Sequence, residues 1–153
     1  MSNDYLPILL VEDEPNDVFF LKHAFEQADI QNPLQVVEDG QKAIDYLGGN
    51  GNYSDRDRFP FPALVLLDLK LPIRMGLEVL RWLQSQPSLA ALIVVILSSA
   101  NNPRDVEEAY RLGARSYLVK PASVKERLKM AEAIKAYWLE LNEFPAEFFP
   151  VRA

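Results

Sequence analysis

The chain has 153 residues, 22 acidic and 16 basic, for a net charge of −6, with no cysteine and a single histidine. That length suits one domain able to bury roughly 70% of its unfolded surface, and the composition excludes disulfides, thiolate metal centres and a cysteine nucleophile. The acidic excess argues against direct DNA binding, and with no basic leader and no apolar run of ~20 residues the chain reads as a cytoplasmic protein outside the membrane.

In chain order, the apolar run Ile8 to Glu12 (ILLVE) predicts a first strand. Pro15 then opens a helix whose apolar face is Val18, Leu21, Phe25 and Ala28. Leu34 to Glu38 is a second strand, followed by a short helix over Gln41 to Leu47 that ends at Gly48, Gly49 and Gly51. The polar stretch Gly48 to Pro62 reads as a loop insertion, with Arg56 and Arg58 most simply solvated. Ala63 to Asp68 (ALVLLD) is the third strand, and Leu77, Leu80 and Leu83 mark the helix behind it, stopped near Pro87. Leu92 to Ser98 is the fourth strand. Pro103 starts the next helix, with Val106, Ala109 and Tyr110 expected inward and Gly113 just past its end. Arg115 to Val119 is the fifth strand. Ser123, with Glu126 three residues on, caps a last helix with the stripe Val124, Leu128, Ala131, Ile134, Trp138 and Leu141.

Strands without polar alternation are expected where both sheet faces are covered. The alternation therefore predicts an α/β fold, a (βα)5 flavodoxin-like doubly wound parallel sheet of strand order 2-1-3-4-5. One domain spans 1–141, with the insertion at 48–62, and a Pro- and Phe-bearing tail covers 142–153. Phe144, Phe148 and Phe149 in that tail either fold back on the domain or dock on a second chain, which makes a homodimer one reading.

Ligands of such sheets bind beyond the carboxyl ends of the strands. There the chain places Glu12 and Asp13 after strand one, Asp68 after strand three, Ser98 and Ser99 after strand four, and Lys120 after strand five. Strands one and three are neighbours in this topology, so their three carboxylates should converge and repel unless a cation holds them. Mg²⁺ suits that donor set. Three carboxylates, one divalent cation and the Lys120 ammonium sum to zero charge, a site fit to accept a phosphoryl group on an aspartate. His23 lies mid-helix, far from these ends, and reads as structural. The glycines near 48–51 lack the lysine and hydroxyl of a phosphate loop.

Four elements at these ends, in order, carry a family resemblance: VEDE at 11–14, the spacing Asp68, Leu69, Leu71, Pro72, Gly76, the pair Ser99-Ala100, and YLVKP from Tyr117 to Pro121. Over roughly Pro7 to Leu141 the chain resembles the receiver domain of two-component response regulators. VEDEPND and the long insertion are similar to the single-domain regulators that serve cyanobacterial phytochrome-type histidine kinases.

The resemblance implies that Asp68 accepts a phosphoryl group from a partner sensor histidine kinase. It implies Asp13 as a direct Mg²⁺ ligand, Glu12 acting largely through water, and the Lys70 backbone carbonyl completing the protein ligands. Ser99 would be the switch hydroxyl, Tyr117 the aromatic that follows it, and Lys120 the ligand of the phosphoryl oxygens, aimed by a cis Lys120–Pro121 bond. Glu12 stands where aspartate is common and Ser99 where threonine is common. Lys70 and Asn101 flank the expected path of attacking water. Such a regulator is no enzyme beyond assisting its own transfer and hydrolysis, and it signals by protein–protein contact to an unknown downstream protein. The alternatives are an aspartyl-phosphate phosphatase, disfavoured by Lys70 where such enzymes place an acid, and an inactive receiver-like interaction module.

Overall fold

The computed structural model describes residues 3–149. Five parallel strands, β1 (Ile8–Val11), β2 (Leu34–Val37), β3 (Leu64–Leu67), β4 (Ile93–Ser98) and β5 (Ser116–Val119), form one sheet in the order β2-β1-β3-β4-β5. Between and after them run α1 (Pro15–Gln27), α2 (Gly40–Gly48), α3 (Gly76–Gln84), α4 (Pro103–Arg111) and α5 (Val124–Ile134), so the flavodoxin-like topology is the one expected. Residues 1–2 and 150–153, the last of which belong to the proposed tail, lie outside the described residues.

Two apolar layers explain why the strands read as unbroken hydrophobic runs. Leu9, Val11, Val65, Leu67, Val94 and Ile96 face one layer with Ala43, Leu47, Val79, Leu80 and Ala109. Ile8, Leu10, Leu64, Leu66, Val95 and Leu97 face the other, against Leu21, Phe25, Ala131 and Ile134. Successive strand residues point to opposite faces, and both faces are covered, so neither position can be polar. The register aligns Val11 with Leu67, which sets Glu12 and Asp68 just past adjacent strand ends.

Local chemistry sets the helix ends. The Asp39 side chain accepts from Lys42 N at 2.7 Å, Asn102 from Asp105 N at 2.9 Å, and Ser123 from Glu126 N at 3.1 Å. Gly49, at φ 67°, closes α2 in the left-handed conformation. Tyr110, expected inward, is exposed, because Ala109 takes the position that meets the sheet. Val124 and Leu141 are also exposed, whereas Leu139 is buried. Val124 is the first residue of α5, whereas the exchange of Leu141 for Leu139 follows from a π-helical continuation over Lys135–Leu141, whose wider turn moves the apolar stripe off the spacing of a regular helix.

The insertion is structured around Arg56, which packs rather than solvates. Its Nη1 donates to the Tyr46 and Phe59 carbonyls at 2.8 and 3.2 Å, and its Nη2 to the Leu47 carbonyl at 3.2 Å. The Tyr46 hydroxyl donates to the Pro60 carbonyl at 2.8 Å, and burial pushes its pKa up to about 12. The described part of the tail folds back, with Phe144 buried against Leu6 and Ala63 and with Phe148 and Phe149 packed beside it. Asn3 Nδ2, donating to the Leu139 and Asn142 carbonyls at 3.0 and 3.3 Å, ties the two ends of the chain together.

Arg56→Ala leaves the last carbonyls of α2 without their cationic donor and uncovers the Tyr46 ring. A loss of about 2 kcal/mol is expected, a fall of roughly 4–8 °C in thermal midpoint, measurable by calorimetry.

Candidate functional site

The site grows from the central pair of strands. The Glu12 amide donates to the Val37 carbonyl at 3.0 Å and the Asp68 amide to the Val11 carbonyl at 3.1 Å, so both residues extend the sheet by one step as their side chains leave it. Glu12 is 2% exposed and Asp68 5% exposed. One carboxylate oxygen from each of Glu12, Asp13 and Asp68 lies within 4.8 Å of the others. The expected convergence of three acids is therefore present.

Lys120 arrives from the end of β5, where its amide donates to the Ser98 carbonyl at 3.0 Å. Its Nζ donates to Asp68 Oδ2 at 2.8 Å and to Asp17 Oδ2 at 2.8 Å, and it pairs with Glu12 Oε1 at 2.5 Å. No cis peptide bond occurs among the described residues, so the expected cis Lys120–Pro121 bond is corrected to trans. The reach of the four-carbon side chain is enough to bring the ammonium to all three carboxylates.

Asp17 is the member that sequence reading missed. It sits in the first turn of α1, where an acid usually serves only the helix dipole. The start of α1 directly over the strand ends makes it the third carboxylate on the same ammonium, with Glu12 and Asp68.

Electrostatics follow from crowding. Burial first, and then the neighbouring Asp68 charge, push Glu12 up to about 7 against the lowering effect of Lys120. For Lys120, burial alone would lower the pKa, but its bonds to Asp17, Asp68 and Glu12 outweigh it and hold the amine above its ordinary value. One ammonium is thus insufficient for the acids gathered here. An all-oxygen set of three carboxylates fits a hard divalent cation such as Mg²⁺ or Mn²⁺.

The hydroxyls divide by one residue. Ser99 is exposed, whereas Ser98 is 1% exposed at the last position of β4, its Oγ accepting from Ala100 N at 3.3 Å. The half-buried Tyr117 donates its hydroxyl to the Ala100 carbonyl. Burial, followed by the Asp105 charge, raises the Tyr117 pKa, and a hydrogen bond with Ser98 opposes the rise. The buried hydroxyl beside Tyr117 is therefore Ser98, whose backbone carbonyl meets the Lys120 amide. Lys70 is exposed, with its amide 3.3 Å from Asp68 Oδ1. His23 lies on the surface of α1, its ring parallel to that of Phe19 at 6.4 Å, outside the site.

The site is thus a buried aspartate at the end of the middle strand, flanked by two acids and a lysine on a doubly wound sheet. The response regulator receiver domain model matches residues 8–132, and the chain belongs to that family. Several of the proteins it resembles are named as response regulators of phytochrome signalling. Response regulator Rcp1 of Synechocystis sp. is 36% identical over 145 residues, covering 95% of this chain and 97% of Rcp1. The crystal structure of the phosphorylated cyanobacterial phytochrome response regulator RcpA superposes with a TM-score of 0.85 at 32% identity, covering 93% of this chain and 99% of that one. The Mn²⁺-bound form of Rcp1 superposes with a TM-score of 0.82 at 35% identity, covering 92% and 99%. Among the described residues no helix is long and apolar enough to cross a membrane.

The Glu12 shift has a measurable sign. An unfolded glutamate releases its proton near 4.5, while the folded protein keeps it to about 7, so across that window the folded state binds more protons. In chelator-treated buffer this contribution to stability is complete below 4.5 and declines as pH rises through 7. Denaturant midpoints measured across that range should show the decline, and Glu12→Gln should flatten it.

Proposed function

We propose that the chain takes a phosphoryl group onto Asp68 from a phosphohistidine of a sensor histidine kinase, of phytochrome type as the relatives' names suggest, and passes the signal on by protein–protein contact in the cytoplasm. The observation that supports this most is the grip of Lys120 Nζ on the buried Asp68 carboxylate at 2.8 Å, beside two further converging acids. In the transfer, an Asp68 carboxylate oxygen attacks phosphorus in line as the phosphorus–nitrogen bond breaks. The bonding pair returns to the imidazole, which takes up a proton.

Glu12, Asp13, Asp68 and the Lys70 carbonyl would hold Mg²⁺, which when bound neutralises charge on the phosphoryl oxygens. Lys120 keeps its ammonium beside the acceptor and turns from the carboxylates to the new phosphoryl oxygens. Ser99, just past the end of β4 and of the same strand parity as Asp68, is the hydroxyl that would report this change. The buried Ser98 beside it accepts from the Ala100 amide and meets Tyr117. Movement of Tyr117 then remodels the surface of α4, β5 and α5. Exposed Val119 and Tyr137 on that face support a homodimer as one form of output. Slow hydrolysis of the acyl phosphate returns the site to its resting state. A turnover phosphatase is disfavoured because Lys70, two residues beyond Asp68, supplies no acid for a leaving group.

Asp68→Asn should take no label from an autophosphorylated phytochrome-type kinase, whereas His23→Ala should be labelled like the wild type. Loss of label in the histidine variant, or its survival in the aspartate variant, refutes the assignment. Beryllofluoride with Mg²⁺ should shift the Tyr117 ring resonances in wild type and in Ser98→Ala but not in Ser99→Ala. The opposite pattern moves the role to Ser98.

A further inference from the structure

The Lys120 ammonium has three N–H bonds to give and directs them at three different carboxylates, Glu12 Oε1 at 2.5 Å, Asp17 Oδ2 at 2.8 Å and Asp68 Oδ2 at 2.8 Å. The three acids are not equivalent. Glu12 and Asp68 belong, with Asp13, to the set whose oxygens lie within 4.8 Å of one another and suit a divalent cation. Asp17 stands outside that set. It comes from the first turn of α1, 103 residues from Lys120 along the chain, where the helix dipole favours a negative charge.

Packing leaves the lysine room to move. Its side chain borders a cavity of about 40 Å³ between α1 and α5, lined also by Glu12, Asp17, Phe20, Pro121 and Arg127. A four-carbon stem beside open space has many rotamers, so hydrogen bonds must choose among them. In the resting site three acceptors make that choice. With a cation on the acid set and a phosphoryl group on Asp68, both Glu12 and Asp68 have other partners. Asp17 is then the acceptor that remains.

We infer that Asp17 is a positioning residue for phosphoryl capture: its carboxylate keeps one N–H of Lys120 in every state of the site, which leaves the other two aimed at the phosphoryl oxygens. This rests on the reading that Asp68 accepts a phosphoryl group, and it adds a residue outside the cation set that acts through the lysine. The Asp17 charge opposes an incoming anion, but its side chain is 39% exposed and paired with the ammonium, so solvent and the lysine screen most of that repulsion. Donors already in place need no reorganisation when the anion arrives. At metal centres, loss of an outer partner that aims a ligating group costs about 10–100-fold in affinity, and an effect at the lower end of that range is expected for a lysine that keeps its charge.

The test is Asp17→Ala beside Asp17→Asn, whose side-chain oxygen still accepts from an ammonium. Beryllofluoride is titrated calorimetrically into each protein at saturating Mg²⁺, and Mg²⁺ is titrated alone. Beryllofluoride affinity should fall roughly tenfold in Asp17→Ala and recover to within about threefold of wild type in Asp17→Asn, while Mg²⁺ affinity moves by less than about threefold in either. In the Mg²⁺-loaded protein, the Lys120 ammonium proton resonance should be protected from exchange in wild type and Asp17→Asn and lost in Asp17→Ala. A role confined to the first turn of α1 would lower the thermal midpoint of both variants and leave beryllofluoride affinity unchanged, which overturns the inference. Tighter beryllofluoride binding in both variants also overturns it, because Asp17 would then compete for the lysine. Parallel loss of Mg²⁺ and beryllofluoride affinity counts against it as well, by placing Asp17 among the acids of the cation site. Wild type that binds Mg²⁺ but no beryllofluoride, or an Asp68→Asn variant that binds it as tightly, fails the phosphoacceptor reading itself, an outcome distinct from all of these.

Discussion

The ammonium of Lys120, shared among Glu12, Asp17 and Asp68, is the interaction on which the rest of the molecule turns. Glu12 and Asp68 are buried, and buried carboxylates without a partner cost on the order of several kcal/mol each. One lysine meets part of that cost. The remainder leaves the site hungry for positive charge, visible in the upward push on Glu12. A site held in that condition has reason to bind a divalent cation and to respond when charge on Asp68 changes. The same ammonium links β1, α1, β3 and β5, so a change at one carboxylate is felt on elements that are far apart in the chain.

The fold supplies the rigidity that this arrangement requires. A sheet covered on both faces fixes the ends of β1 and β3 relative to each other, since neither strand can slip one residue without exchanging its two apolar faces. Close backbone contact at Gly76 presses the start of α3 onto Asp68, and the resulting short loop carries Ile73 at positive φ in a strained turn. Elsewhere the structure closes on itself. Arg56 binds the insertion to the end of α2, and Phe144 seals the returning chain against Leu6. These features stabilise the scaffold at a distance from the chemistry, while the strained turn lies directly beside it.

Periodicity and composition alone determined the five strands, the five helices and their order, because apolar runs covered on two sides and helical faces of spacing three and four are local signals. They also determined where chemistry would be found, since strand ends can be counted along the chain, and Glu12, Asp13, Asp68 and Lys120 stand at those ends. Only tertiary structure decided the rest. Asp17 looks like an ordinary first-turn acid until α1 is laid across the strand ends. The Ala100 that follows singles out Ser99 in the sequence, but that Ser98 is buried and Ser99 exposed depends on where β4 stops and how β5 pairs with it. The π-helical turn that buries Leu139 in place of Leu141 and the positive φ of Ile73 arise from packing between distant segments. Burial and backbone strain are properties of contacts, and a contact between residues fifty or a hundred positions apart leaves no periodic trace in the sequence.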